Sequence, residues 1–305
     1  MIYTVTGAVQ AKNFNKACIH EHVRIVSNDM LNTFGKEWFN NKKFIPLATQ
    51  VLKKSGFDLF VDGTPCDLGR DVRLLNTVSK KSGVKIVAST GFYYFPDCFS
   101  MARSTTELVD WILKEFEVGI QGTSIKPGIL KCASHDSTLT THIAKRLQAM
   151  AIVQNKTKLP LYVHCSHNNE VEQKLELLID SGANPEKLII GHCALKPNAD
   201  YLESFIKKGC YVAMDQNHCT PHKNQVIEAL NELCARGHLD KILLSSDHSI
   251  YNDFGALGDL GTEHNVDYHV DMLNYQARVI KPKFIGKFED FDKMMGENIL
   301  NALDV

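Results

Sequence analysis

Short apolar runs alternate with longer amphipathic stretches along this chain. Eight runs read as strands: Ala17–His22, Leu59–Gly63, Lys85–Thr90, Gly128–Ala133, Leu159–His164, Lys187–His192, Gly209–Asp215 and Lys241–Asp247. They are rich in β-branched residues and nearly continuous in apolar character, as parallel strands buried on both faces should be. Between them, apolar positions recur at helical spacing over Leu47–Gly56, Asp71–Gly83, Thr105–Gly119, Thr138–Lys156, Asn169–Gly182, Ala199–Lys208 and Gln225–Gly237. Gly56, Gly83, Gly182 and Gly237 stand where a left-handed C-cap is wanted. No linker or low-complexity segment interrupts the alternation. Residues 1–305 therefore read as one α/β domain, a single (βα)8 TIM barrel. A doubly wound open sheet is the competing arrangement, and it would leave the first and last strands far apart.

The way the runs end adds chemistry to this reading. His20 and His22 are two apart at the end of the first run, so a strand places them on one face. Lys131 follows Gly128-Ile129-Leu130, His164 closes the fifth run, His192 the sixth and Asp247 the eighth. In a parallel barrel every strand's C-terminal end opens on the same face, where the active site is built. These six side chains are thus expected to converge, each able to bind a metal or to be modified to do so. Cys132, Cys165 and Cys193 directly follow three of them and should face the opposite way, as small buried apolar residues.

Composition narrows the partners. Lys and Arg (34) nearly balance Asp and Glu (35), so there is no basic field for nucleic acid or anionic lipid. No apolar stretch approaches a membrane span. The nine cysteines are scattered without a CxxC pair, and the segment Met1–Thr6 lacks the features of a signal peptide. Reduced thiols and a cytoplasmic location are expected. With no GxSxG elbow, P-loop or GxGxxG after the first strand, a serine nucleophile and nucleotide binding have no support.

The order HxH, Lys, His, His, Asp resembles the phosphotriesterase family of the amidohydrolase superfamily, with its phosphotriesterase-like lactonases. Local signatures are Ile19-His20-Glu21-His22, Val61-Asp62-Gly63-Thr64 with Gly69-Arg70-Asp71-Val72, Ser89-Thr90-Gly91-Phe92-Tyr93, Lys126-Pro127-Gly128-Ile129-Leu130-Lys131, Ile190-Gly191-His192 and Leu244-Ser245-Ser246-Asp247. The chain departs from the pattern at Cys165, where threonine is common, and after Asn298, where proline often follows. The resemblance implies that carbon dioxide converts Lys131 to N6-carboxylysine, whose carboxylate bridges two divalent metals, usually zinc. It also implies that His164 and His192 hold the second metal and Asp247 the first. Such a donor set suits zinc, cobalt or manganese. A bridging hydroxide would then be the nucleophile, with Asp247 receiving its proton. The family's tyrosine corresponds to Tyr93, whose phenol would donate to the hydroxide or substrate; a core-capping aromatic is the alternative.

The expected substrate is a small lactone or related ester, with a phosphorylated sugar lactone in view and phosphotriesterase activity on the side. An organophosphate triesterase and a non-catalytic ligand-binding barrel are the alternatives, and a homodimer is left open. His167, Lys223, Tyr251 and Arg278 are candidate substrate contacts, each with a plain surface alternative. His218 and His222 read as loop residues, because Pro221 opposes a helix across them. His248 should point away from Asp247, while His135, His142, His238, His264 and His269 read as surface or helix residues. Arg70 reads as a structural ion-pair residue, and Lys126, before Pro127, should face away from the mouth.

Overall fold

The computed structural model describes residues 1–34, 41–94, 97–134, 139–166, 171–252 and 265–305. Strands β1 (Ile2–Thr4) and β2 (Gly7–Val9) form an antiparallel hairpin ahead of the barrel. Eight parallel strands follow: β3 (Ala17–Glu21), β4 (Leu59–Asp62), β5 (Lys85–Gly91), β6 (Ile129–Ser134), β7 (Leu161–Cys165), β8 (Leu188–Ile190), β9 (Tyr211–Met214) and β10 (Ile242–Leu244). Each pairs with its neighbour in sequence, so the chain is a (βα)8 barrel. Helices pack outside it, including Asn41–Ser55, Val72–Ser82, Thr105–Glu117, Thr141–Thr157, Val171–Asp180, Ala199–Lys207, Lys223–Ala235 and Val266–Leu273. None of the described helices is long and apolar enough to cross a membrane.

The strands alternate between two cores. Cys18, Phe60, Ile86, Leu130, Cys132, Val163, Cys165 and Val212 face the helices. Ala17, Ile19, Leu59, Val61, Val87, Ile129, Tyr162, Ile189, Ala213 and Leu243 fill the barrel interior. Ile2 of the hairpin and Ile299, Leu300 and Leu303 of the last helix join that inner cluster and close the floor. The sequence pattern did not mark the hairpin or the C-terminal helices as elements. Lys126 lies at this end, with Nζ 5.2 Å from the Phe116 ring, as its place before Pro127 suggests.

The first strand breaks the alternation. Its pairing with β4 shifts between Cys18 and Glu21. An inserted residue of this kind turns the following side chains by one position. Ile19 therefore packs inward and His20 still reaches the barrel axis, while Glu21 points along the wall to β10. There its carboxylate accepts from Ser245 Oγ (2.9 Å), Ser246 N (2.8 Å) and His248 N (2.7 Å). Backbone bonds from Asp247 N to His20 O and from His22 N to His248 O complete the closure of last strand on first.

Removing the Glu21 carboxylate would leave buried amides of Ser246 and His248 without an acceptor, at about 1–3 kcal/mol each. We expect Glu21→Ala to lower unfolding free energy by at least about 2 kcal/mol in urea denaturation. A loss under about 1 kcal/mol would show that the closure does not depend on this side chain.

Candidate metal centre

Six side chains predicted to converge do so at the C-terminal mouth of the barrel. Lys131 Nζ lies 2.5 Å from His20 Nε2, and His192 Nε2 lies 2.6 Å from His164 Nδ1. Asp247 Oδ1 is 3.2 Å from His22 Nε2 and 3.5 Å from His20 Nε2. His20, His22, His164 and Asp247 form the floor of a cavity of about 470 Å³, walled by Ile25, Leu68, Tyr93, Tyr94, Gln216, Ser249 and Asn252, while Lys131 and His192 are buried behind His20 and His164.

Three of the imidazoles are aimed by a partner on the far ring nitrogen. His20 Nδ1 is 2.9 Å from Asp215 Oδ2, His192 Nδ1 is 2.9 Å from Asp215 Oδ1, and His22 Nδ1 is 2.8 Å from Thr64 Oγ1. Such partners fix the ring and leave Nε2 turned toward the other members of the cluster, the arrangement by which metal-binding histidines are held. Asp215 Oδ1 also accepts from the His192 amide (2.8 Å), and Oδ2 accepts from the Tyr162 hydroxyl. Asp215 comes close enough to His20 and His192 to form a metal-binding group with them. Its oxygens, however, are already occupied by these donors, so we read it as the bracket behind the ligands. The donors of His20, His22 and Asp247 lie within 4.8 Å of one another and face open space.

Backbone strain contributes to the aim. His192, Gln216 and Asp247, at or just past the ends of β8, β9 and β10, have φ of 57°, 56° and 54°. Left-handed backbone is disfavoured for residues with a Cβ, and such strain concentrates at functional sites. Gly191 has its own reason: a Cβ there would lie 2.4 Å from the Tyr162 ring and hydroxyl.

Electrostatics suit a bound cation. Burial pushes the His20 imidazole down to about 3 and holds His164 well below its ordinary value, so both offer lone pairs at neutral pH. Burial also lowers the Lys131 amine to about 8, which raises its neutral, nucleophilic fraction. Burial disfavours the Asp247 carboxylate, but His20, His22 and His192 outweigh it and keep the carboxyl well below the usual range. Neutral nitrogens crowded against one another beside a carboxylate are the donor set a divalent cation would satisfy.

The remaining candidates divide. Tyr93 lines the cavity, its ring 5.3 Å from that of His164 in an edge-on arrangement. Burial raises its phenol well above the ordinary range, so it stays a proton donor. Tyr251 is not brought to the cavity. The chain past β10 stays paired with residues 22–25, which turns Ser249 and Asn252 to the cavity and Tyr251 into the core against Phe44. Arg278 is on the outer surface, paired with Asp271 at 2.5 Å. Lys223 is exposed at the start of its helix, 5.7 Å from the Tyr275 ring, and does not line the cavity. His135, His167 and His264 lie outside the described residues.

Pro221 sits just before the helix that starts at Lys223, leaving His222 as its N-cap. His218 and His222 do not line the cavity. His269 is on a helix but buried, with Nδ1 2.9 Å from His248 Nε2. Arg70 is a buried ion-pair residue, bidentate to Glu115 at 2.5 and 2.9 Å.

Two residues were missed from sequence. Asp215 closes an apolar run just as Asp247 does, so the strand-end pattern marked its position but not its role. Gln216 donates from Nε2 to Asp247 Oδ2 at 2.6 Å, and nothing in its local sequence announced this. Asp215→Asn would put an amide N–H against one imidazole Nδ1 and upset its tautomer. We expect the variant to bind zinc about 10–100-fold more weakly in chelator-buffered titration. Parental affinity would show that the rings are oriented by something else.

Comparison with known proteins agrees with this geometry. The chain is 30% identical to the aryldialkylphosphatase of Saccharolobus solfataricus, with 82% of each chain covered. It is 29% identical to the phosphotriesterase homology protein of Escherichia coli, over 83% of this chain and 88% of the relative. The N-acetyltaurine hydrolase of Bos taurus is 26% identical, over 86% and 88%. A sequence profile described as the phosphotriesterase family matches residues 1–293. With its barrel and its mouth of histidines and aspartates, the chain belongs to the phosphotriesterase family.

Proposed function

We propose that this member of the family is a binuclear metal-dependent hydrolase acting chiefly on lactones or related carboxylic esters, with phosphotriester hydrolysis as a minor activity. The observation that carries the reading is the clustering of His20, His22, Lys131, His164, His192 and Asp247 at the mouth of the barrel, four of them lining one cavity and Lys131 and His192 buried against those four. In this reading Lys131 carries a carbamate formed with carbon dioxide, and the six residues hold two ions, zinc in the native protein. Ions held there would acidify a water and polarise a carbonyl or phosphoryl oxygen.

The chain's own groups supply the rest. Asp247, kept ionised, accepts the proton that the attacking water loses, while Gln216 Nε2 fixes its Oδ2. Tyr93, kept protonated, donates to the substrate oxygen on which charge develops. Tyrosine rings, short aliphatics and uncharged Gln216, Ser249 and Asn252 suit an uncharged ring ester.

Protein prepared without chelator is expected to contain close to two equivalents of divalent metal by elemental analysis. It should turn over lactones faster than esters, amides or phosphotriesters in one screen. Metal content near zero after reconstitution with zinc or manganese and bicarbonate would remove the reading. Faster turnover of phosphotriesters would make them the main substrate class.

Lys131→Ala should lose both metal and activity, and a short carboxylic acid such as propionate should restore part of each. Lys126→Ala should change neither, since its amine lies over Phe116 at the barrel floor. Asp247→Asn should lower kcat by at least about a hundredfold with a smaller change in KM. Full activity in Lys131→Ala or Asp247→Asn would defeat the corresponding assignment.

A further inference from the structure

Arg146 is 2% exposed and sits on the helix Thr141–Thr157, outside the barrel wall. Burying a guanidinium costs several kcal/mol unless its donors meet acceptors in good geometry. Here Nη1 donates to the Tyr93 carbonyl at 2.6 Å, Nε to Ser100 Oγ at 3.1 Å, and Nη2 to Ser100 Oγ and the Asp97 carboxylate. The flat of the guanidinium lies 5.0 Å from the Phe92 ring centroid. The fork thus spends one arm on the backbone of Tyr93 and the other on the short helix Cys98–Ala102 beyond it.

The opposite side of the same residue is also held. Tyr93 N donates to Asp67 Oδ2 at 2.7 Å, from the turn that follows β4. One position earlier, Phe92 N donates to Lys131 O at 2.9 Å, which ties the segment to β6. Both peptide groups of Tyr93 are therefore anchored by charged side chains from different βα units. The Tyr93 and Tyr94 rings pack 4.3 Å apart and form one wall of the cavity, beside His164. Neither Arg146 nor Asp67 lines that cavity, so any influence on substrate must pass through the tyrosines.

We propose that Arg146 and Asp67 are positioning residues that clamp the Tyr93–Tyr94 wall and thereby set the size of substrate the site accepts. The proposal rests on the cavity being the substrate site. A wall held at both peptide groups cannot retreat for a bulky substituent, and it keeps the Tyr93 phenol in place without the cost of ordering it on each encounter.

Amide exchange resolved to single residues on the full-length, metal-loaded protein tests the clamp without reference to catalysis. The Tyr93 amide is expected to exchange at least about tenfold faster in Arg146→Lys and in Asp67→Ala, while β6 and β7 keep their protection. Arg146→Lys retains the charge but not the fork, and Asp67→Asn retains an oxygen acceptor and should recover most of the protection. On a series of lactones of rising bulk, Arg146→Lys should flatten the parental size preference by about tenfold. That change should vanish in a Tyr93→Ala background, because a residue acting through Tyr93 has nothing left to hold. Parental exchange in Arg146→Lys and Asp67→Ala, or full additivity with Tyr93→Ala, would overturn the proposal. Failure of the parent to hydrolyse any substrate would instead strike the hydrolase reading, and the exchange result would still decide the clamp.

Discussion

The mouth of this barrel depends on one carboxylate that faces away from the cavity. Asp215, fully buried at the end of β9, takes up the His20 and His192 Nδ1 positions, the His192 amide and the Tyr162 hydroxyl. Desolvation works against such an ion, and the ring of donors outweighs it, so its carboxyl stays well below the ordinary range. By accepting at Nδ1 it sets the tautomer of two rings from β3 and from the end of β8, on opposite sides of β9. With this group ionised and in register, Nε2 of His20 is turned to Lys131 and Nε2 of His192 to His164. His20 and His192, far apart in sequence, are thereby held as one unit.

A second dependence lies in how the barrel is closed. The shift in β3 lets His20 and His22 look inward, and it sends Glu21 to the backbone of the last strand. The same tripeptide thus supplies donors to the site and the latch that makes the sheet a barrel. Separating these tasks by mutation is difficult, because moving Glu21 moves its neighbours on the same short strand. The N-terminal hairpin and C-terminal helix seal the opposite end with aliphatic side chains, which leaves the polar chemistry confined to the mouth.

Much of this was legible in the residues because parallel strands obey simple rules. Continuous apolar runs located all eight barrel strands, and period two carried Lys131 and His164 inward from Ile129 and Tyr162. Imidazoles and carboxylates at strand ends stand out chemically, so their convergence could be read before any contact was known. What was not legible depends on where backbone pairing stops. Tyr251 was offered as a substrate contact, but the chain beyond β10 stays paired with residues 22–25 and buries it. Asp215 was visible as the end of a run, yet its role turns on which ring nitrogens face it across two strands. His269 shows helical placement without exposure, since its helix packs against His248.

The left-handed backbone at His192, Gln216 and Asp247 has a consequence for how such a chain can change over generations. Glycine would adopt that conformation without steric cost, whereas a residue with a Cβ gives up about 1 kcal/mol there. Selection for robustness and selection for retaining the side chains therefore pull in opposite directions at these three positions. A search for thermostability that ignored activity would gain this backbone term by drifting toward glycine at the rim, but at His192 it would give back more than it gained, because the buried Asp215 carboxylate would lose a ring donor.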